Sequence, residues 1–219
     1  KAESHGVDLS GAVQSERITT PIANLTVDQN GGRRSCNSRA TMLDGYLPKL
    51  EVPEDVRVVS LASLFRAPLD QKETVIRLVR TAKEAGAVVC ADTKIPTFRQ
   101  LALSDLEEIL PMIDYLFPNE KEAEYLTGKK DYMEMAEALC RRGIQNVVVK
   151  TGREGCTACG KAQRFHMPAR KVEAVDSTGA GDSFVAGFIS GILAGDSLEG
   201  CCSRGIRCAG DCVQRMGAV

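Results

Sequence analysis

The sequence predicts an α/β fold, a mostly parallel sheet with helices on both faces, plus a small β-sheet lid near its start. Three observations predict it. From Val56 onward, short apolar runs alternate with stretches of helical period. Those runs are nearly continuous in apolar character, as strands buried on both faces require. Residues 18 to 38 differ. "ITTPIANLTVDQNGGRRSCNS" is β-rich and polar, with Asn30-Gly31-Gly32 as a hairpin turn. Residues 7 to 40, approximately, are expected to form the lid.

The elements follow in order. "VRVVSLA", residues 56 to 62, is a strand. Residues 70 to 85 form an amphipathic helix stopped by Gly86. "AVVCAD" is the next strand. Residues 104 to 110 form a short helix, with Ser104 and Glu107 as its capping box. "IDYLF" is a strand, 119 to 126 a helix, and 131 to 142 another that ends at Gly143. "NVVVK" is a strand, and "AQRFHM" with "RKVEAV" reads as a β-hairpin or two short strands. Two closing helices cover 179 to 193 and 198 to 216. No internal repeat interrupts the order, so residues 1–219 are expected to form a single domain with the lid attached.

Composition narrows the function. With 43% hydrophobic residues and a net charge of -1, neither disorder nor a broad nucleic-acid surface is expected. No apolar run reaches the roughly 18 residues that span a bilayer, so no membrane partner is expected. "KAESHGVDLSG" has no apolar stretch of the signal-peptide kind. Nine cysteines are then read as reduced, in a cytoplasmic protein. Cys201, Cys208 and Cys212 share a helix face, where Cys packs as a small apolar residue. Cys156 and Cys159 form a C-x-x-C with no second pair at zinc-finger spacing, a weak signal for a metal or redox role beside plain packing. His5 and His166 are isolated.

The chemistry concentrates in "AVDSTGAGDSFVAGF", residues 174 to 188. A tight turn that runs straight into a helix leaves backbone N–H groups pointing outward, at the positive end of the helix dipole. That is an anion site. Gly179 and Gly181 let a phosphate approach with no Cβ in the way. An Asp there repels a phosphate, so Asp182 suggests a base facing a hydroxyl that attacks phosphorus. The plain alternative is a Gly-rich helix start whose first-turn acid complements the dipole. No G-K-[ST] and no early G-x-G-x-x-G occurs, which excludes a Walker loop and leaves a dinucleotide fold unsupported.

"DSTGAGDSF" resembles the C-terminal signature of the ribokinase-like, or PfkB, carbohydrate kinases. "FPNEKEAEYLTG" resembles that family's P-N-x-x-E segment, and "VVVKTGREG" the strand and turn that reach its nucleotide. The resemblance implies a ribokinase-like fold and transfer of the ATP γ-phosphate to a hydroxyl of a sugar or sugar acid, with Mg²⁺ and K⁺ as cofactors. It implies Asp182 as catalytic base and Gly179, Ala180 and Gly181 as anion hole. Asn119 and Glu122 are implied in the phosphate and Mg²⁺ network, although N-x-x-E is also a capping pattern. Lys150, Gly152 and Gly155 are implied to bind nucleotide; an ordinary hairpin turn and a solvated strand-end lysine are the alternatives. Asp176 and Thr178 match the monovalent-cation positions, and Lys94 is expected near the substrate. A homodimer through the lid is the implied assembly.

Two departures follow. Residue 1 lies only a few residues before the lid-like strands, so the N-terminal part of the family fold is expected to lie upstream of this sequence. "ADTKIP" stands where relatives carry an acidic-Pro-Asn-x-Arg segment. The rival expectation is a non-catalytic ribokinase-like protein that binds a ligand or partner.

Overall fold

Alternation along the strands decides which side chains face which helices. In Asn146–Lys150, Val148 joins the core beneath the two last helices, while Val147 and Val149 point to the opposite face; all three are fully buried. The computed structural model describes residues 2–10, 12, 22–27, 33–37, 52–53, 55–96 and 101–217. It divides into two compact units, residues 1–50 and 51–219.

The first unit holds an antiparallel pair, β1 (Ala23–Val27) and β2 (Arg33–Asn37), in register from Ala23 opposite Asn37 to Val27 opposite Arg33. The expected turn at Asn30-Gly31-Gly32 lies outside the described residues.

The second unit is built on six strands in sequence order: β3 (Val58–Leu64), β4 (Val88–Thr93), β5 (Tyr115–Phe117), β6 (Asn146–Lys150), β7 (Cys156–Gly160) and β8 (Arg164–Met167). β3 to β6 run parallel; β7 and β8 add antiparallel. Helices α1 (Lys72–Glu84), α2 (Glu120–Thr127) and α3 (Tyr132–Cys140) make the crossovers. α4 (Ala180–Ala194) and α5 (Leu198–Cys212) close the chain. Among the described residues no helix is long and apolar enough to cross a membrane.

Three expectations need correction. Residues 104 to 110 do not form one helix but lie across two 3-10 turns, Leu103–Leu106 and Leu110–Met112. The return bond there comes from Asp105, which accepts from the Ala102 N–H at 2.8 Å, whereas Glu107 pairs outward with Arg142 at 2.7 Å. Pro111 has no N–H to give, which interrupts any continuous helix. Second, residues 170 to 175 are not a strand. The hairpin is β7–β8, and β7 hides in "CTACG", whose small residues carry little β signal yet are all buried. Third, α5 ends at Cys212, short of Met216.

The strand setting also settles the C-x-x-C. An offset of three puts Cys156 and Cys159 on opposite faces. Cys156 lies in the α4–α5 core, while the Cys159 carbonyl accepts from Cys140 Sγ of α3 at 3.3 Å. The eight cysteines outside β2 are free, and burial pushes the Cys90 thiol up to about 12, so it stays protonated and packs as an apolar group.

α4 is seated on the sheet by rings. Phe188 meets Phe117 at 4.9 Å and Tyr115 at 5.1 Å, both edge to face. Phe188 is fully buried. Phe188→Ala should therefore cost about 3–5 kcal/mol of unfolding free energy in urea. A loss below about 1 kcal/mol would show that α4 is not held this way.

Candidate active site

The site gathers at the C-terminal ends of the parallel strands, where open α/β sheets bind ligands. β4 ends in Asp92 and Thr93, β5 leads into Asn119, and β6 ends in Lys150. An isolated parallel bridge ties Asn119 to Lys150, and the Lys150 N–H donates to the Pro118 carbonyl at 2.8 Å.

Asn119 caps α2. Its Oδ1 accepts from the Glu122 N–H at 2.9 Å, and Glu122 Oε2 accepts from the Asn119 N–H at 2.9 Å. The spacing is thus a true capping box. It also fixes a buried carboxylate. Glu122 is 4% exposed, and accepts further bonds from Asn119 Nδ2 at 2.8 Å and Thr93 Oγ1 at 3.0 Å. Burial pushes its pKa above the usual glutamate value, against the Asn119 N–H, Lys94 and Lys150, which lower it.

Two lysines converge on this acid cluster. Lys150 Nζ lies 2.5 Å from Asp92 Oδ1. Lys94 Nζ lies 3.7 Å from Asp92 Oδ2 and 3.9 Å from Glu122 Oε1. Asp92 and Thr93 escaped the sequence reading, which took only Lys94 from "ADTKIP". The available signal was position: a polar pair ending an apolar parallel strand sits at the ligand-binding edge.

The glycine stretch lies beside them. Gly179 precedes α4 with φ 78°, the left-handed region that favours glycine, and brings no side chain to cap the helix. The Ala180 N–H turns back to the Ser177 carbonyl at 3.3 Å, and no Gly179 side chain caps the rest of the first turn. Asp182 is exposed in that first turn. A Cβ added to Gly181 would sit 3.5 Å from Lys150 Nζ, so the ammonium hangs over the helix head.

A cavity of about 600 Å³ opens from this point. Lys150, Gly152, Gly155, Ala180 and Gly181 line it. So do Ile206, Ala209, Gly210 and Val213, spaced as one stripe along α5 and just past its end. Gly152 opens a 3-10 turn, and Gly155 is held by close approach: a Cβ there would lie 2.0 Å from the Met167 carbonyl. Residues 170 to 174, expected as a strand, instead contribute Arg170, Lys171, Val172 and Ala174 to the wall.

Asp176 and Thr178 are brought together, but as a turn. Asp176 Oδ1 accepts from the Thr178 N–H at 2.9 Å and Oγ1 at 2.8 Å, and its Oδ2 accepts from the Gly217 N–H at 3.0 Å. Among the described residues no group of three or more His, Cys, Asp or Glu side chains is arranged to hold a metal ion.

The sequence matches the pattern of the pfkB family carbohydrate kinases across residues 1–219. The chain belongs to that family. A ribokinase from Staphylococcus aureus (strain COL) is 36% identical over 220 residues, 97% of this chain and 69% of that protein. A cytidine kinase from Thermococcus kodakarensis is 35% identical over 174 residues, 77% and 60% of the two chains. The crystal structure of a Thermotoga maritima ribokinase superposes with a TM-score of 0.71 at 28% identity, covering 92% of this chain and 65% of that one. A Methanocaldococcus jannaschii nucleoside kinase shares the fold at a TM-score of 0.78 and 22% identity, over 99% of this chain and 69% of that one. This pfkB chain spans about half to two thirds of the length of the curated relatives it matches.

The charge balance around Glu122 is open to test. Lys94→Met removes a cation that favours the carboxylate, so the Glu122 pKa should rise further. Carbon-detected NMR titration of the glutamate carboxyls would read it; an unchanged or lowered midpoint would place Lys94 elsewhere.

Proposed function

We propose that this pfkB protein transfers the γ-phosphate of ATP to a hydroxyl of a sugar or sugar acid. One observation carries the reading: an uncapped helix head with Asp182 in its first turn and Lys150 above it opens onto a cavity of nucleotide size. Relatives named ribokinase, deoxyribokinase, cytidine kinase and 2-dehydro-3-deoxygluconokinase support a polyhydroxylated acceptor.

The cavity fits the donor. Its apolar stripe suits a base, and Lys150 with the head of α4 suits the phosphates. Gly179, Ala180 and Gly181 would hold the γ-phosphate through backbone N–H groups. The acceptor oxygen attacks phosphorus while the bond to the ADP oxygen breaks, and the acceptor's proton passes to the Asp182 carboxylate. Lys94 stands on the acceptor side of the reading. Gly152 and Gly155 line the cavity and would lie beside the nucleotide.

Both Glu122 oxygens already accept hydrogen bonds, so Asn119 and Glu122 suit contact with water around Mg²⁺ rather than direct ligation. Mg²⁺, when bound, would neutralise phosphate charge. A monovalent cation near Asp176 and Thr178 fits less well, because both Asp176 oxygens are engaged, and no step is assigned to it. Free thiols fit a cytoplasmic setting. The reading takes β1 and β2 as a lid and a homodimer contact, which a two-stranded sheet, marginal alone, would favour.

ADP release with ribose, deoxyribose, cytidine and 2-dehydro-3-deoxygluconate tests the activity in the full-length protein. At least one should raise ADP release above the ATP-only rate; none doing so would overturn the proposed acceptor class. With the fastest acceptor, Asp182→Asn should lower turnover by roughly 10²-fold or more and leave ATP affinity nearly unchanged. Near-normal turnover would remove Asp182 from the role of base.

A further inference from the structure

Asp92 has no part in the transfer as described. We infer that it is a positioning residue: it holds the Lys150 ammonium over the head of α4 and so sets the rate of phosphate transfer rather than nucleotide affinity. The inference rests on the proposed reading of the site.

The two residues come from different strands, with β5 between them. Adjacent strands lie about 4.8 Å apart, so Lys150 must reach over the end of β5 to meet Asp92. Its side chain does so almost out of solvent: the lysine side chain is 12% exposed and the aspartate 5%. The carboxylate is itself fixed. Oδ1 accepts from the Thr93 N–H at 3.1 Å as well as from Lys150 at 2.5 Å, and Oδ2 faces Lys94 at 3.7 Å.

As a stabilising device this pair is a poor choice. Burying two charges costs several kcal/mol per ion, and apolar residues of similar volume commonly do as well or better. Its placement adds a second cost. The ammonium lies against Gly181 in the first turn of α4, at the positive end of the helix, where a cation is disfavoured. Asp92 offsets that repulsion. An anion entering at the helix head would turn it into attraction from both sides, with the ammonium already in place.

The direction of the effect follows from charge. Asp92 meets the lysine ammonium directly, and among the described residues no bond from Asp92 to the first turn of α4 is seen. Neutralising it removes no phosphate donor and takes away one negative charge, so ATP binding should hold or tighten. What is lost is the orientation of the ammonium, and misplacement by about 1 Å costs up to about 10²-fold in rate.

The test uses the full-length protein and the fastest of the four acceptors named above. Asp92→Asn should lower kcat about tenfold to a hundredfold, while the Kd for ATP by calorimetry stays within about threefold or tightens. Lys150→Met should lower kcat as much. The double variant should be no slower than Lys150→Met alone, because the aspartate acts through the lysine. Three results would overturn the inference: additive losses in the double variant, an ATP Kd weakened more than threefold by Asp92→Asn, or a lowered melting temperature with unchanged kcat. If Asp92→Asn does not fold, D92L/K150M replaces both charges with apolar groups and takes its place; wild-type turnover in it would also overturn the inference. Asp182→Asn separates the two levels. Near-normal turnover in it sinks the site reading itself, whereas its inactivity beside a fully active Asp92→Asn sinks only the role of Asp92.

Discussion

Phe184 and Phe188 anchor α4 to the sheet through Phe117 and Tyr115, and the position of every group at the head of that helix depends on this seating. From the other side α5 presses in through small residues. A Cβ on Gly187 would lie 2.7 Å from the Arg204 carbonyl, and one on Gly191 2.9 Å from Cys201. On α5, a Cβ on Gly205 would lie 2.9 Å from the Phe184 ring. Glycine in a helix interior costs about 0.5–1 kcal/mol against alanine. Here it permits an approach that no larger residue allows. A helix clamped on two sides can present an uncapped N-terminus, because packing supplies what the missing cap does not.

The same economy appears at Asn119 and Glu122. Capping and function look like competing explanations of N-x-x-E, yet the proposed role would use the same geometry as the cap. The capping box spends Glu122 Oε2 on the Asn119 N–H and thereby fixes the carboxylate plane. With its rotamer fixed, the buried acid can order Thr93 and draw Lys94 toward the strand ends. A free glutamate would lose side-chain entropy on each such contact.

Much of this was legible in the sequence, for physical reasons that differ by element. Val147 to Val149 announce a buried strand because nothing else places three β-branched residues between a helix stop and a lysine. Asn119 and Asp131 were readable as helix starts, since their side chains do accept first-turn N–H groups. Gly179 was readable because its left-handed backbone favours glycine, whereas Gly181 lies in ordinary helical backbone. β7 was not, because "CTACG" shows its strand character through burial alone, and burial is tertiary. Residues 170 to 175 failed in the opposite sense. They alternate like a strand, yet the Val175 and Asp176 N–H groups bond to the Val213 carbonyl instead of a sheet neighbour. Asp92 was hidden for a third reason: its partner is 58 residues away.

On the proposed reading Asp182 would stand beside a phosphate, an arrangement that is repulsive taken alone and that its surroundings would answer. The α4 dipole favours a carboxylate in its first turn as it favours the phosphate next to it. Lys150 adds a positive charge at the same helix head, and its ammonium pairs with Asp92 at 2.5 Å. Two like-charged groups can then share one site, each facing cationic groups rather than the other. On the proposed reading the charges from the strand ends outward would be Asp92, Lys150, an anion bound at the helix head, and Asp182 toward the acceptor. Alternation of sign along that row would let the proposed base and a phosphate stand close enough to react.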